Sequence, residues 1–158
     1  MGKSLFLTVI YAVCSLCYMA AQGLVNVKHY SVKDGMSQNT VQGVLQDNEG
    51  YIWMATWNGL EKFDGYSFKN YKTYPTDKVK LQYNRLVNLQ LGGNQMLVCQ
   101  SYDRRVYLFD IRRECFEDVF VYHPEVKLCT AASKIITLPN GMVWIVGTNG
   151  DLWRIDCF

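Results

Sequence analysis

Histidine is almost missing from this chain. Only His29 and His123 occur, far apart and without a spacing such as H-x-x-x-H that would bring two imidazoles to one metal. A glycine-rich phosphate loop, a G-x-S-x-G elbow and a Cys/His nucleophile pair are missing too, so phosphoryl transfer and acyl-enzyme chemistry have no residues to carry them. Excess charge is also lacking: 16 basic side chains face 14 acidic ones. A nucleic acid or an anionic membrane is therefore not expected as a partner. Beyond the first segment no stretch keeps a long helical period, and Thr76 to Val87 reads as a connector. No metal, cofactor or catalytic residue is expected.

What is present begins with residues 1–21. Lys3 is the only charge ahead of an apolar run from Leu5 to Ala21, which ends in the small pair Ala20-Ala21. A basic start, an apolar segment and small residues at its end are the parts of a cleavable export signal peptide. The alternative is a retained membrane anchor, although 17 residues fall short of the roughly 20 that cross a bilayer. Cys14 and Cys17 lie inside this segment, where their doublet spacing is accidental. The remaining cysteines, Cys99, Cys115, Cys129 and Cys157, allow two disulfides in three pairings in an oxidising compartment. They can equally be small buried strand residues.

Residues 22–158 have one domain's length and read as short strands broken by glycine turns. Gln46 to Phe68 sets the unit, with turns at Asp47-Asn48-Glu49-Gly50, Trp57-Asn58-Gly59 and Asp64-Gly65. Tyr51 to Ala55 is apolar on both faces, as in a strand covered on two sides. Leu60 to Phe63 and Tyr66 to Tyr71 mix polar and apolar residues, as strands nearer a rim do. The unit recurs. Trp144 aligns with Trp53, Gly150 with Gly59, and Ile155-Asp156 with Phe63-Asp64, while a weaker copy places Leu97 at the Trp53 position and ends in Phe109-Asp110. Leu97 follows Trp53 by 44 residues and Trp144 follows Leu97 by 47. A period in the forties built from strands points to propeller blades, with an antiparallel sandwich as the runner-up.

The predicted fold is all-β: an incomplete β-propeller of about three four-stranded antiparallel blades over 32–73, 84–120 and 130–158. Closed rings use roughly four to eight blades, so the chain reads as the N-terminal part of a longer protein, with the strand around Leu24 to Ser31 completing a last blade. Structural duties fall to Asp47, Gly50, Trp53, Gly59, Asp64, Trp144, Gly150 and Asp156. A turn aspartate satisfies backbone N–H groups, and a tryptophan wedges between blades.

Asp47, Gly50, Ile52, Trp53, Ala55, Thr56, Gly59, Leu60, Phe63, Asp64 and Gly65 together resemble the two-component regulator propeller repeat. The approach through Asp34-Gly35-Met36-Ser37-Gln38-Asn39 resembles the lead-in of such sensors. The match is dense over about 28–73 and looser after it. The resemblance implies the periplasmic sensor portion of a hybrid two-component system, held in the inner membrane by its parent protein. There it would sense an oligosaccharide without catalysing anything, with kinase and output domains elsewhere in the parent.

Strand direction puts the turns between second and third strands on the same face as the connectors between blades. Trp57, Asn58, Tyr102, Asp103 and Arg104 are therefore the candidate ligand-binding residues, because flat aromatics stack on sugar rings while Arg and Asn bond hydroxyls or carboxylates. The competing reading is that turn-tip aromatics fold back over the blade edge. Two other functional classes stay open. An exported propeller hydrolase or lyase would need converging carboxylates from Asp34, Asp77, Asp103 and Glu125. A protein-binding scaffold would use the same mouth. Expected partners are an oligosaccharide, the remaining blades of the parent sensor, and a second copy in a homodimer.

Overall fold

The computed structural model describes residues 26–77, 79, 81–93, 95–117 and 131–156, together with positions 2, 3, 6, 8, 10 and 11, which are helical. The rest of residues 1–21, His123, Glu125, Cys129 and Cys157 lie outside the described residues. Among the described residues no helix is long and apolar enough to cross a membrane.

Among the described residues eleven strands, all antiparallel to their neighbours, make three sheets. The first holds β1 (Val41–Gln46), β2 (Ile52–Thr56), β3 (Gly59–Phe63) and β4 (Phe68–Tyr71) in sequence order. The second repeats this with β5 (Leu86–Leu91), β6 (Met96–Ser101), β7 (Val106–Asp110) and β8 (Cys115–Glu117). The third has β9 (Ala132–Thr137), β10 (Met142–Gly147) and β11 (Leu152–Asp156), three strands among the described residues where four were expected.

The repeat is visible in the register. Each sheet carries an irregularity where its first strand starts, at Val41/Gly43, at Leu86/Asn88 and opposite Val146/Gly147. Counting back from it, Trp53 stands three residues before Thr56, Val98 three before Ser101, and Trp144 three before Gly147. Val98, not Leu97, is therefore the counterpart of Trp53. The sequence alignment slipped by one because β6 has no tryptophan to anchor it, and a one-residue slip exchanges the two faces of a strand.

Those faces decide the packing. Trp53, Ala55, Leu60 and Tyr71 of the first sheet meet Leu86, Leu89, Leu97, Cys99, Tyr107, Phe109 and Phe116 of the second in one buried cluster. Within it an aromatic ladder runs from Trp53 to Phe109 (ring centroids 5.4 Å) and on to Phe116 (5.0 Å). Gly43 lets β1 approach β5 closely, since a Cβ there would lie 3.4 Å from the Leu89 nitrogen. The opposite face of the second sheet presents Val98, Val106 and Leu108 to Ala132, Ile135, Val143, Ile145 and Ile155 of the third. Gln90 adds a polar clasp, donating to the Ile135 carbonyl (2.9 Å) and accepting from the Thr137 N–H (3.0 Å), so it occupies backbone groups of β9.

Four readings need correction here. Glu61 does not lie on a wet rim strand: it is fully buried, its Oε1 accepting from the Ser37 backbone N–H of the lead-in that crosses this face. Cys115 is exposed on β8, whereas Cys99 is buried and burial pushes its thiol up; both are free. Trp144 is only half-buried, on the face of β10 turned away from the second sheet, where Ile136 and Leu152 are exposed. Residues 26–31 form no strand; Tyr30 instead packs its ring against Phe63 (4.9 Å) and Phe68 (5.7 Å).

The first two sheets are also latched at their rim. Glu114, in the left-handed region at φ +51°, turns its carboxylate back to Lys69 and to the Tyr71 hydroxyl (2.7 Å). Lys69 first and then Tyr71 hold Glu114 below the usual carboxylate range, while burial and then Glu114 push the Tyr71 phenol up. The folded carboxyl binds its proton more weakly than the unfolded one. Its stabilising contribution is thus full above the ordinary value of 4.5 and is lost as pH falls through the folded value. For Tyr71 the sign reverses: its contribution is full below the ordinary value of 10.0 and is lost as pH rises beyond it. Urea midpoints measured against pH are expected to show both limbs. Glu114→Gln should flatten the acid one and Tyr71→Phe the alkaline one, and an acid limb unchanged in Glu114→Gln would refute the latch.

Candidate functional site

In the first two sheets a hydroxyl closes the turn between second and third strands. In the first, the Thr56 hydroxyl accepts the Asn58 N–H (3.1 Å) and donates to the Gly59 carbonyl (2.8 Å), closing the turn beneath Trp57. Ser101 takes the same place in the second sheet, bonding the Asp103 carboxylate and the Arg105 carbonyl beneath Tyr102. Thr148 and Asn149 form the third tip, with the Asn149 amide on the Asp151 carboxylate (2.6 Å).

Each tip is then tied to the residue that leads into its own sheet. Trp57 N–H donates to the Thr40 carbonyl (3.3 Å), Tyr102 N–H to Arg85 (2.8 Å) and Thr148 N–H to Ala131 (3.1 Å). Two contacts stitch neighbouring tips together. The Arg85 guanidinium lies 5.2 Å from the Trp57 ring, and the Arg104 carbonyl accepts the Ala132 N–H (2.8 Å). The result is a continuous arc, Trp57, Arg85, Tyr102, Arg104, along one end of the three sheets.

The five sequence candidates divide on this arc. Trp57 and Tyr102 stand out of the surface, 41% and 64% exposed, and Arg104 is exposed at φ +67°. Asp103 is occupied, pairing with Arg105 (3.3 Å) and Ser101. Asn58 is half-buried and its carbonyl accepts from the Asn70 amide (2.9 Å), so it holds the turn. Arg85 was missed: in the sequence it sits at the end of a connector, and only the fold carries it over Trp57. A second signal was available in the same connector, where Tyr74 and Tyr83 are also exposed.

The carboxylates proposed for hydrolysis are engaged elsewhere. Asp34 caps the short 3-10 turn Val32–Asp34 through Ser31, Asp77 accepts the Tyr74 N–H (2.7 Å), and Asp103 serves Arg105. None of these three is described beside another carboxylate at acid–base distance.

The aspartates read as structural act at the opposite end or in outer turns. Asp47 accepts the Glu49 and Tyr51 N–H groups (both 2.9 Å) with one oxygen and the Trp53 indole (2.7 Å) with the other, while Gly50 closes the turn. Asp64 accepts from Ser67 and Tyr66, which hold its carboxyl below the usual range. Asp110 repeats this with Arg112 and Arg113. Asp156 is exposed and meets Arg154 at 3.3 Å, and Gly150 sits in the third tip at φ +91°. Position 138 is leucine, so Trp144 lacks the carboxylate that Asp47 offers Trp53.

A cleft of about 620 Å³ also exists at the Asp47 end, between the turns at 47–49, 91–95 and 139–141. It offers backbone, Asn48, Glu49 and Asn140 but no aromatic side chain, and Gln95 within it is bonded to Arg112. The arc, unlike this cleft, sets exposed flat rings near a guanidinium group.

No family model matches the chain. It is 32% identical over 76 residues to "Histidine kinase P4" of Formosa agariphila, a match covering 48% of this chain and 6% of that protein. The fold is shared with the extracellular domain of BT4673 from B. thetaiotaomicron. That protein is described in one structure as a one component system (TM-score 0.55, 23% identity) and in another as a hybrid two component system (TM-score 0.55, 22% identity). Both structures cover 77% of this chain, which spans 16% of theirs. The chain is thus similar to a small part of much longer proteins.

Proposed function

We propose that this chain is part of an extracytoplasmic sensor propeller of a two-component regulatory system, binding an oligosaccharide without transforming it. The three sheets, each covering the next with one face, are read as successive blades, and the open face of β10 as the seat of the following one. Similarity to a histidine kinase over 76 residues supports the regulatory setting, and the fold of an extracellular domain supports the compartment.

One observation carries the binding reading: Trp57 and Tyr102 protrude at adjacent turn tips bridged by Arg85, where a purely structural turn needs only small polar residues. Trp57→Ala and Tyr102→Ala are each expected to weaken oligosaccharide binding at least tenfold in calorimetric titration while leaving the melting curve in place. Undiminished binding by the double variant would remove the arc as the site. Release of reducing sugar by the wild-type chain would favour the exported hydrolase or lyase instead.

A further inference from the structure

We infer that the ligand of this arc is an anionic oligosaccharide, held through its carboxylate or sulfate groups by Arg85 and Arg104. The inference rests on the reading of the arc as a sugar site and adds the chemical class of the sugar.

The charge balance at this end of the sheets is one-sided. Arg85 and Arg104 are exposed, and neither pairs with a carboxylate of the described residues. Of the nearby acids, Asp103 is paired with Arg105, while Asp77 accepts the Tyr74 N–H and keeps its charge, one anion against the two arginines. Lys72, 5.6 Å from the Tyr74 ring, adds a further cation in the connector that follows β4. A chain whose overall charge is nearly balanced therefore gathers unneutralised positive charge beside its exposed rings.

The geometry makes this charge selective. Arg85 carries its guanidinium over the Trp57 ring, 5.2 Å from the centroid, while its own carbonyl accepts the Tyr102 N–H, so its backbone and its charge are both positioned. A guanidinium held over an aromatic ring by its charge spends none of its N–H donors on a carboxylate. Those donors form a fork that fits a planar carboxylate or two sulfate oxygens and has no such match in a lone hydroxyl. Arg104 lies two residues beyond Tyr102 in the same turn, its backbone carbonyl fixed on the Ala132 N–H and its side chain exposed. The two exposed arginines thus flank Tyr102 along the chain of the arc, one bonded to its N–H through a carbonyl and one two residues after it.

Matched pairs of probes test this: oligogalacturonates against the same oligomers with reduced carboxyls, and carrageenan oligosaccharides against their desulfated forms. Calorimetry on the whole chain is expected to give, in at least one pair, binding of the charged member at least tenfold tighter than the neutral one. That preference should shrink as salt rises. The pair showing it tells carboxylate from sulfate. Arg85→Gln and Arg104→Gln should each cost the charged probe about tenfold. Arg112→Gln, whose guanidinium meets Gln95 at the far end, should cost nothing. Equal binding of charged and neutral members, still lost in Trp57→Ala, would overturn the charge assignment and keep the sugar site. Binding of neither member of either pair, by a chain with an intact circular dichroism spectrum, would overturn the sugar site itself.

Discussion

Trp53→Ala is expected to cost about 3–5 kcal/mol, the range for emptying a large buried aromatic site. Trp53 is fully buried, and its ring is the hinge between the first two sheets, 5.4 Å from Phe109 and 5.7 Å from Tyr71. Its truncation also strands Asp47, whose second oxygen takes the indole proton at 2.7 Å. Domains of this size are stable by only about 5–15 kcal/mol, so one substitution removes a large fraction of the margin. Two controls separate the terms. Trp53→Phe keeps most of the packing and loses a hydrogen bond to a charged acceptor, about 1.5–3 kcal/mol, and a double-mutant cycle with Asp47→Ala isolates that bond. Trp144→Ala occupies the same register position, but half-exposed and without a carboxylate partner, and should cost well under half as much. Urea unfolding of these variants decides the matter: equal losses at positions 53 and 144 would mean that burial between sheets is not what stabilises the fold.

The contrast between these tryptophans marks how far the sequence could be read. Strand, turn and period were legible because tight turns demand glycine or a side-chain acceptor. Those residues recur, as Thr56 and Ser101, and as Asp64 and Asp110, in places the backbone hydrogen bonds make equivalent. The middle sheet was misread by one residue because Val98 does a tryptophan's work without looking like one. Glu61 was misplaced because amphipathic alternation marks a face as polar but does not say what covers it. The lead-in that buries Glu61 is 24 residues upstream. Arg85 and Glu114 were missed for the same reason: each acts on a neighbouring sheet, at Trp57 and Tyr71 respectively, and partners so distant leave no local pattern. Turn-tip residues were found and partners across sheets were not, because only the former are dictated by their immediate neighbours.

Gly59→Ala should show how tightly the arc depends on the sheet beneath it. At φ +105° a side chain is already strained, and an added Cβ would lie 2.3 Å from the Tyr71 carbonyl oxygen, so β3 and β4 must separate. The strain of a left-handed alanine is about 1–2 kcal/mol, and forcing the backbones apart adds an overpacking cost of about 1–3 kcal/mol. Gly50→Ala supplies the reference. Its φ of +93° carries similar strain, but the nearest atom is the flexible Gln46 amide at 3.8 Å, so only the first cost applies. The difference between the two variants therefore measures the clash alone. It also has a functional reading, because Gly59 directly follows Trp57 and Asn58, and its carbonyl receives the Thr56 hydroxyl that closes their turn. Gly59→Ala is expected to lower the urea midpoint more than Gly50→Ala and to weaken sugar binding; Gly50→Ala, at the other end of β2, should leave binding untouched. If both glycines cost the same and neither affects binding, the turn under Trp57 is not the rigid support that the arc requires.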